Sequence, residues 1–114
     1  MPLLSIQSNH EINASERDAA IGELSSQIAS MLGKPESYVM VNIQHNPAMS
    51  FGGSRDPLVY IELKSLGMDE NRTTEFSATL CGLVNEIFSI PADRVYIEFS
   101  SGPRHMWGWN GTTF

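Results

Sequence analysis

Between Ala14 and Leu32 the apolar residues Ile21, Leu24, Ile28, Met31 and Leu32 recur at spacings of three and four, which lays them along one face of an α-helix. Asn13 or Ser15 can cap its start, Glu16 and Asp18 suit its positive end, and Gly33 followed by Pro35 stops it. A second helical stripe runs through Phe76, Leu80, Leu83, Val84 and Ile87, with Pro91 beyond its end. Residues 2–8, 38–43, 58–63 and 94–99 have the alternation or the β-branched and aromatic content of strands. Pro2 opens the first of them, a position where a missing N–H does no harm. Residues 45–56 are dense in Gly, Pro, Ser and Asn, and read as a loop that divides the chain near its middle. The predicted order is βαββαβ.

The two halves also match residue for residue. Pro2-Leu-Leu-Ser-Ile-Gln aligns with Pro57-Leu-Val-Tyr-Ile-Glu, and Pro35-Glu-Ser-Tyr-Val-Met-Val-Asn-Ile with Pro91-Ala-Asp-Arg-Val-Tyr-Ile-Glu-Phe. Residues 1–114 are therefore expected to form one domain with an internal pseudo-repeat, roughly 2–50 and 57–104, too few copies for a solenoid. Two βαβ units joined in one sheet, with both helices on one face, give an α+β two-layer architecture. The ferredoxin-like fold has the same element order, so order alone does not choose between them. A sheet covered on one side leaves its other face bare. The alternating Val39, Val41, Ile43 and Val95, Ile97, Phe99 need burial, and Tyr60 and Tyr96 have the opposite parity, so oligomerisation is expected.

Composition narrows the partners. Seven Lys and Arg against 13 Asp and Glu give a formal charge of −6, with no basic cluster for a nucleic acid backbone or an anionic membrane. The chain is long enough to bury a core without a staple, and its single cysteine, Cys81, excludes an internal disulfide and paired-thiol redox chemistry. No basic segment followed by a long apolar run marks a signal peptide or a membrane span, so the expected address is cytoplasmic.

Few residues carry chemistry on their own pattern. His10, His45 and His105 stand in separate segments without ligand spacing, so no metal is expected. Phe51-Gly-Gly-Ser54 is too short for a phosphate-binding loop and reads as a turn, and Cys81 reads as a small hydrophobe beside the second helical stripe. Pro2 is the exception. Removal of the initiator Met1 would leave a terminal secondary amine, which titrates near neutrality and acts as a general base if an apolar pocket or a nearby cation such as Lys34 disfavours its charged form. Without further context, an edge-strand proline explains the same residue.

Met1-Pro2, Gly33-Lys34-Pro35, Met49-Ser-Phe-Gly-Gly-Ser54, Ser65-Leu-Gly67, Leu80-Cys-Gly-Leu83, Asp93-Arg-Val-Tyr-Ile97 and Gly108-Trp-Asn-Gly-Thr-Thr-Phe114 supply that context. In this order, over essentially the whole chain, they resemble the macrophage migration inhibitory factor family of the tautomerase superfamily. The resemblance implies two βαβ repeats in a four-stranded sheet, three subunits around a central channel, and pockets between subunits. It implies keto–enol tautomerisation of phenylpyruvate-like acids, or isomerisation of dopachrome analogues, without a cofactor and with Pro2 as the base. Lys34 then receives the substrate carboxylate or oxygen, the backbone of Ser65 and Leu66 contacts ligand, and Tyr96 comes from the neighbouring subunit. Trp107, Trp109 and Phe114 form the pocket rim or wall.

The chain also departs from that pattern. Glu98 stands at a pocket position that is an asparagine in the animal cytokine, and a carboxylate there would favour protonated proline and oppose an anionic substrate. Lys64 replaces a histidine and offsets part of that charge. Leu58-Val-Tyr-Ile61 replaces a Cys-x-x-Cys, removing thiol oxidoreductase chemistry, and residues 100–106 show little resemblance. The family includes cytokines, so the rival reading is an interaction protein with a receptor and a weak or vestigial site. A ferredoxin-like small-molecule sensor is a third.

Overall fold

A computed structural model describes all residues, Met1–Phe114. Strands β1 (Leu3–Ser8), β2 (Met40–His45), β3 (Val59–Lys64) and β4 (Val95–Ser100) form one sheet in the order β2-β1-β3-β4. The outer pairs β1/β2 and β3/β4 are parallel, and the central pair β1/β3 is antiparallel. Helices α1 (Ala14–Leu32) and α2 (Thr73–Phe88) are the crossovers that parallel neighbours require. This order excludes the ferredoxin-like alternative, whose split βαβ units place another strand between the two that each helix connects.

Asn13 is the cap of α1: its Oδ1 accepts the Glu16 N–H at 2.8 Å. Gly33, at φ 63°, ends the helix in the left-handed region, and the Lys34 and Gly33 amides donate to the Ala29 and Ser30 carbonyls. That is a Schellman closure, which only a residue free of a Cβ adopts without strain. It holds the backbone of Lys34 at the negative end of the helix dipole.

Leu4, Ile6, Val59, Ile61 and Leu63 point from the sheet to Leu24, Ile28, Phe76, Leu80 and Val84 on the helices, and these ten form the heart of the core. Cys81 is half-buried against this cluster. The strand register then settles what the bare face carries. Val41 and Ile43 lie beside Leu4 and Ile6, and Val95, Ile97 and Phe99 beside Val59, Ile61 and Leu63, so the alternating apolar residues of both edge strands share the helix-covered side. The opposite face presents Ser5, Gln7, Asn42, Glu62, Lys64 and Glu98 together with Tyr60 and Tyr96, and the apolar pair Leu3 and Met40 at one end. The open face is mainly polar, and of the apolar edge residues Val95 is buried by the chain itself while Val41, Ile43, Ile97 and Phe99 are packed against the core but left half-buried.

Differences from the predicted elements are local. β2 starts two residues later than the apolar run, because Glu36–Tyr38 forms a 3₁₀ turn after Pro35. A two-stranded hairpin near the C-terminus, Gly108–Trp109 with Thr112–Thr113, is an addition; we label these strands β5 and β6. Its turn residues Asn110 and Gly111 both have positive φ, the requirement of a type I′ turn. No helix is long and apolar enough to cross a membrane.

Candidate functional site

Two cavities meet at the start of β1. The first, about 220 Å³, is mostly apolar and takes its walls from Pro2, Tyr38, Met40, Trp107, Trp109 and Phe114 among others. The second is lined by Met1, Lys34, Leu66, Gly67, Arg104 and Phe114. Met1 and Phe114 belong to both, so the two are neighbouring compartments of one depression.

Each wall has a local cause. Pro2 has no N–H to give to the sheet, but its carbonyl accepts the Met40 amide at 3.0 Å, and its ring is fully buried. The Asn110-Gly111 turn folds β6 back on β5, and the Phe114 amide donates to the Trp107 carbonyl at 3.1 Å. That closure stacks Phe114 on Trp109 at 5.8 Å between centroids. Tyr38 meets both rings edge-on, at 5.6 Å from Trp109 and 5.9 Å from Phe114, the geometry that aromatic quadrupoles favour. The Met1 amine sits where the compartments join. Burial, and secondarily the Lys34 charge, hold it below the usual value for a terminal amine.

The residues singled out from sequence divide into three groups. Pro2, Trp107, Trp109 and Phe114 line the first cavity, and Lys34, Leu66 and Phe114 the second. Ser65 is buried just behind Leu66 and lines neither; its amide donates to the Ser100 carbonyl at 3.0 Å. Tyr96 and Glu98 lie elsewhere. In register, Tyr96 stands beside Tyr60 and Gln7, whereas Pro2 precedes the opposite end of β1, and both side chains project from the uncovered face. A single chain does not bring them to Pro2.

On that uncovered face the Tyr60 hydroxyl lies 2.8 Å from Glu98 and 3.1 Å from Glu62. Deprotonation would add a third negative charge, so the phenol is held well above its ordinary value, chiefly by the Glu98 hydrogen bond and then by burial. Lys64 pairs with Glu62 at 3.6 Å. Of the three histidines, His10 and His45 share a small cavity with Glu11 and Arg17, and no three potential metal ligands cluster anywhere in the chain.

Sequence reasoning missed several wall residues, Tyr38, Met40 and Arg104 among them. Tyr38 reads as the start of a strand, but the 3₁₀ turn places it on the aromatic wall; Pro35, directly before the polar pair Glu36-Ser37, was the available signal. Arg104 lies in the segment of least resemblance, where pattern offered nothing, and Pro103 starts a 3₁₀ turn that brings it to the second cavity.

The profile of the family described as macrophage migration inhibitory factor (MIF) matches residues 1–114. The solved structure of a homologue from Prochlorococcus marinus is 44% identical, superposes with a TM-score of 0.92, and is matched over 98% of each chain. The homolog from Brugia malayi is 37% identical over 115 residues, covering 100% of this chain and 99% of that protein. The factor from Mus musculus is 34% identical over 115 residues, with the same coverage. With profile, sequence and fold in agreement over the full length, the chain belongs to the macrophage migration inhibitory factor family.

Proposed function

We propose that the protein is a keto–enol tautomerase of phenylpyruvate-like 2-keto acids, with dopachrome-type compounds as related substrates, and that Pro2, freed by removal of Met1, is its general base. The observation that carries this reading is the junction of an aromatic cavity holding Pro2 with a cationic one holding Lys34. The aromatic compartment suits a phenyl ring and the cationic one an adjacent acid. The depressed Met1 amine supports the base assignment, because the Pro2 nitrogen is one residue further in along the same path. As a neutral amine it removes the proton α to the ketone; the electrons move into the enolate, and the prolinium returns its proton to the ketone oxygen. The bonds broken and formed balance without a cofactor.

The proposed assembly is a homotrimer in which Tyr96 and Glu98 reach the pocket of a neighbouring copy. Supporting this, Tyr96 and Met40 are large side chains left 66% and 65% exposed, and both outer strands have an unpaired edge. Light scattering should return three times the 12.6 kDa chain mass; a monomer would remove the assembly and with it the roles of Tyr96 and Glu98.

The deciding experiment measures phenylpyruvate tautomerisation with Pro2 as the first residue and with one residue retained ahead of it. Activity confined to the mature form is expected, and equal activity in both removes Pro2 as the base. The names of vertebrate relatives, which describe inhibition of macrophage migration, favour a second reading as a receptor-binding protein with a weak or vestigial site. An inactive mature form that binds an animal receptor would establish it.

A further inference from the structure

The second cavity contains two cations and no acidic side chain. Lys34 and Arg104 both line it, and neither forms an ion pair, in a chain whose acidic residues outnumber its basic ones 13 to 7. An anion bound in this cavity would meet two cations that have no partner in the chain. The Lys34 backbone is locked by the closure of α1. That of Arg104 is held by its own turn, through the Trp107 amide on the Arg104 carbonyl at 3.2 Å, and Trp107 is a wall of the first cavity.

We propose that Arg104 is the carboxylate-binding residue of this site, and that Lys34 serves the neighbouring oxygen on which charge develops. The inference rests on the tautomerase reading above and divides its anion-binding role between two residues. A guanidinium presents a planar fork that matches both oxygens of a carboxylate, while an ammonium is a point charge suited to one oxygen. A 2-keto acid enters as a monoanion. Removing its α proton places a second negative charge on the ketone oxygen, one carbon from the carboxylate, so the intermediate is a dianion whose charges lie side by side. Two cations lining one cavity beside an aromatic compartment match that species and orient the ring toward Tyr38 and Trp109.

The division has a kinetic signature. The carboxylate charge is present in substrate and transition state alike, so truncating Arg104 weakens uniform binding and raises KM; the enolate charge exists only on the reaction path, so truncating Lys34 lowers kcat. With phenylpyruvate, Arg104→Ala should raise KM about tenfold or more with kcat within about threefold, and Arg104→Lys should recover part of the loss. With the neutral methyl ester of phenylpyruvate, Arg104→Ala should change KM little. Equal factors for acid and ester, or an unchanged KM for the acid, would overturn the assignment.

Calorimetry with unreactive ligands separates this from the fate of the tautomerase reading. Wild type should prefer 3-phenylpropanoate to 3-phenylpropanamide, and Arg104→Ala should cut that preference about tenfold. That result supports Arg104 as the carboxylate receptor even if no turnover is found. A wild type without the preference, or a variant that keeps it, overturns the proposal.

Discussion

Arginine and aromatic side chains gather at two ends of this molecule, and their hydrogen bonding separates structure from chemistry. At one end Arg94 lies 5.2 Å from the Phe51 ring centroid, which in turn packs 4.5 Å from Tyr96. Its guanidinium donates to the carbonyls of Phe51 at 2.8 Å, Asp56 at 2.9 Å, Ser54 at 3.2 Å and Pro57 at 3.3 Å. Every nitrogen is spent on the loop, which closes on itself through the Phe51–Ser54 pairing. At the other end Lys34 and Arg104 border rings of similar kind but have no carboxylate partner. A cation surrounded by its own chain's carbonyls stabilises the fold, and one left facing a cavity is available to a ligand.

Variants at both ends test that contrast. The largest effect is expected from a residue retained ahead of Pro2, which converts the amine to an amide: tautomerase kcat/KM should fall about 10²- to 10⁴-fold, with urea unfolding unchanged. Lys34→Ala should lower kcat/KM about 10- to 100-fold, again at constant stability. It should also shift the pH profile. Burial and then the Lys34 charge lower the pKa of the Met1 amine. If the Pro2 amine of the mature form lies in the same field, removing the charge should move the acidic limb of kcat/KM to higher pH, because activity needs the neutral amine. A limb that stays in place separates Lys34 from the base. Arg94→Ala should behave in the opposite sense, losing about 2 kcal/mol in urea unfolding because four carbonyls lose their donor. If it retains stability and loses substrate affinity instead, the contrast fails. Gly53→Ala should cost about 1–2 kcal/mol, since φ is 76° there and a Cβ is disfavoured in the left-handed region.

The elements were legible where a periodic pattern and its punctuation coincide. The helix α1 runs over Ala14–Leu32 as the stripe from Ile21 to Leu32, the Asn13 cap and the Gly33 stop require. The turn at Phe51-Gly-Gly-Ser54 was equally legible, because Gly52 and Gly53 at φ 62° and 76° meet a demand few other residues meet cheaply. Of the site, the resemblance in short motifs pointed to Pro2, Lys34, Leu66, Trp107, Trp109 and Phe114, which the fold gathers around two cavities. Tyr38 and Arg104 were not legible. Each is brought into place by a three-residue turn whose effect on side-chain direction exceeds what alternation along a strand predicts.

The bare sheet face shows the same boundary from the other side. Alternation identified Val41, Ile43, Val95, Ile97 and Phe99 as residues in need of burial, but a period of two says only that they share a side, not which side. Register against β1 and β3 decided that they lie on the helix-covered side, Val95 in the core and the others half-buried against it, and that Tyr60, Glu62 and Glu98 face outward. The sequence by itself determined the order of the two helices and the four sheet strands, the ends of α1 and the family, because these depend on neighbours within a few residues or on motifs in fixed order. Only the tertiary structure decided strand order, the polarity of the open face, and the meeting of Lys34 with Arg104. These depend on segments some 70 residues apart, whose distance in space no local propensity encodes.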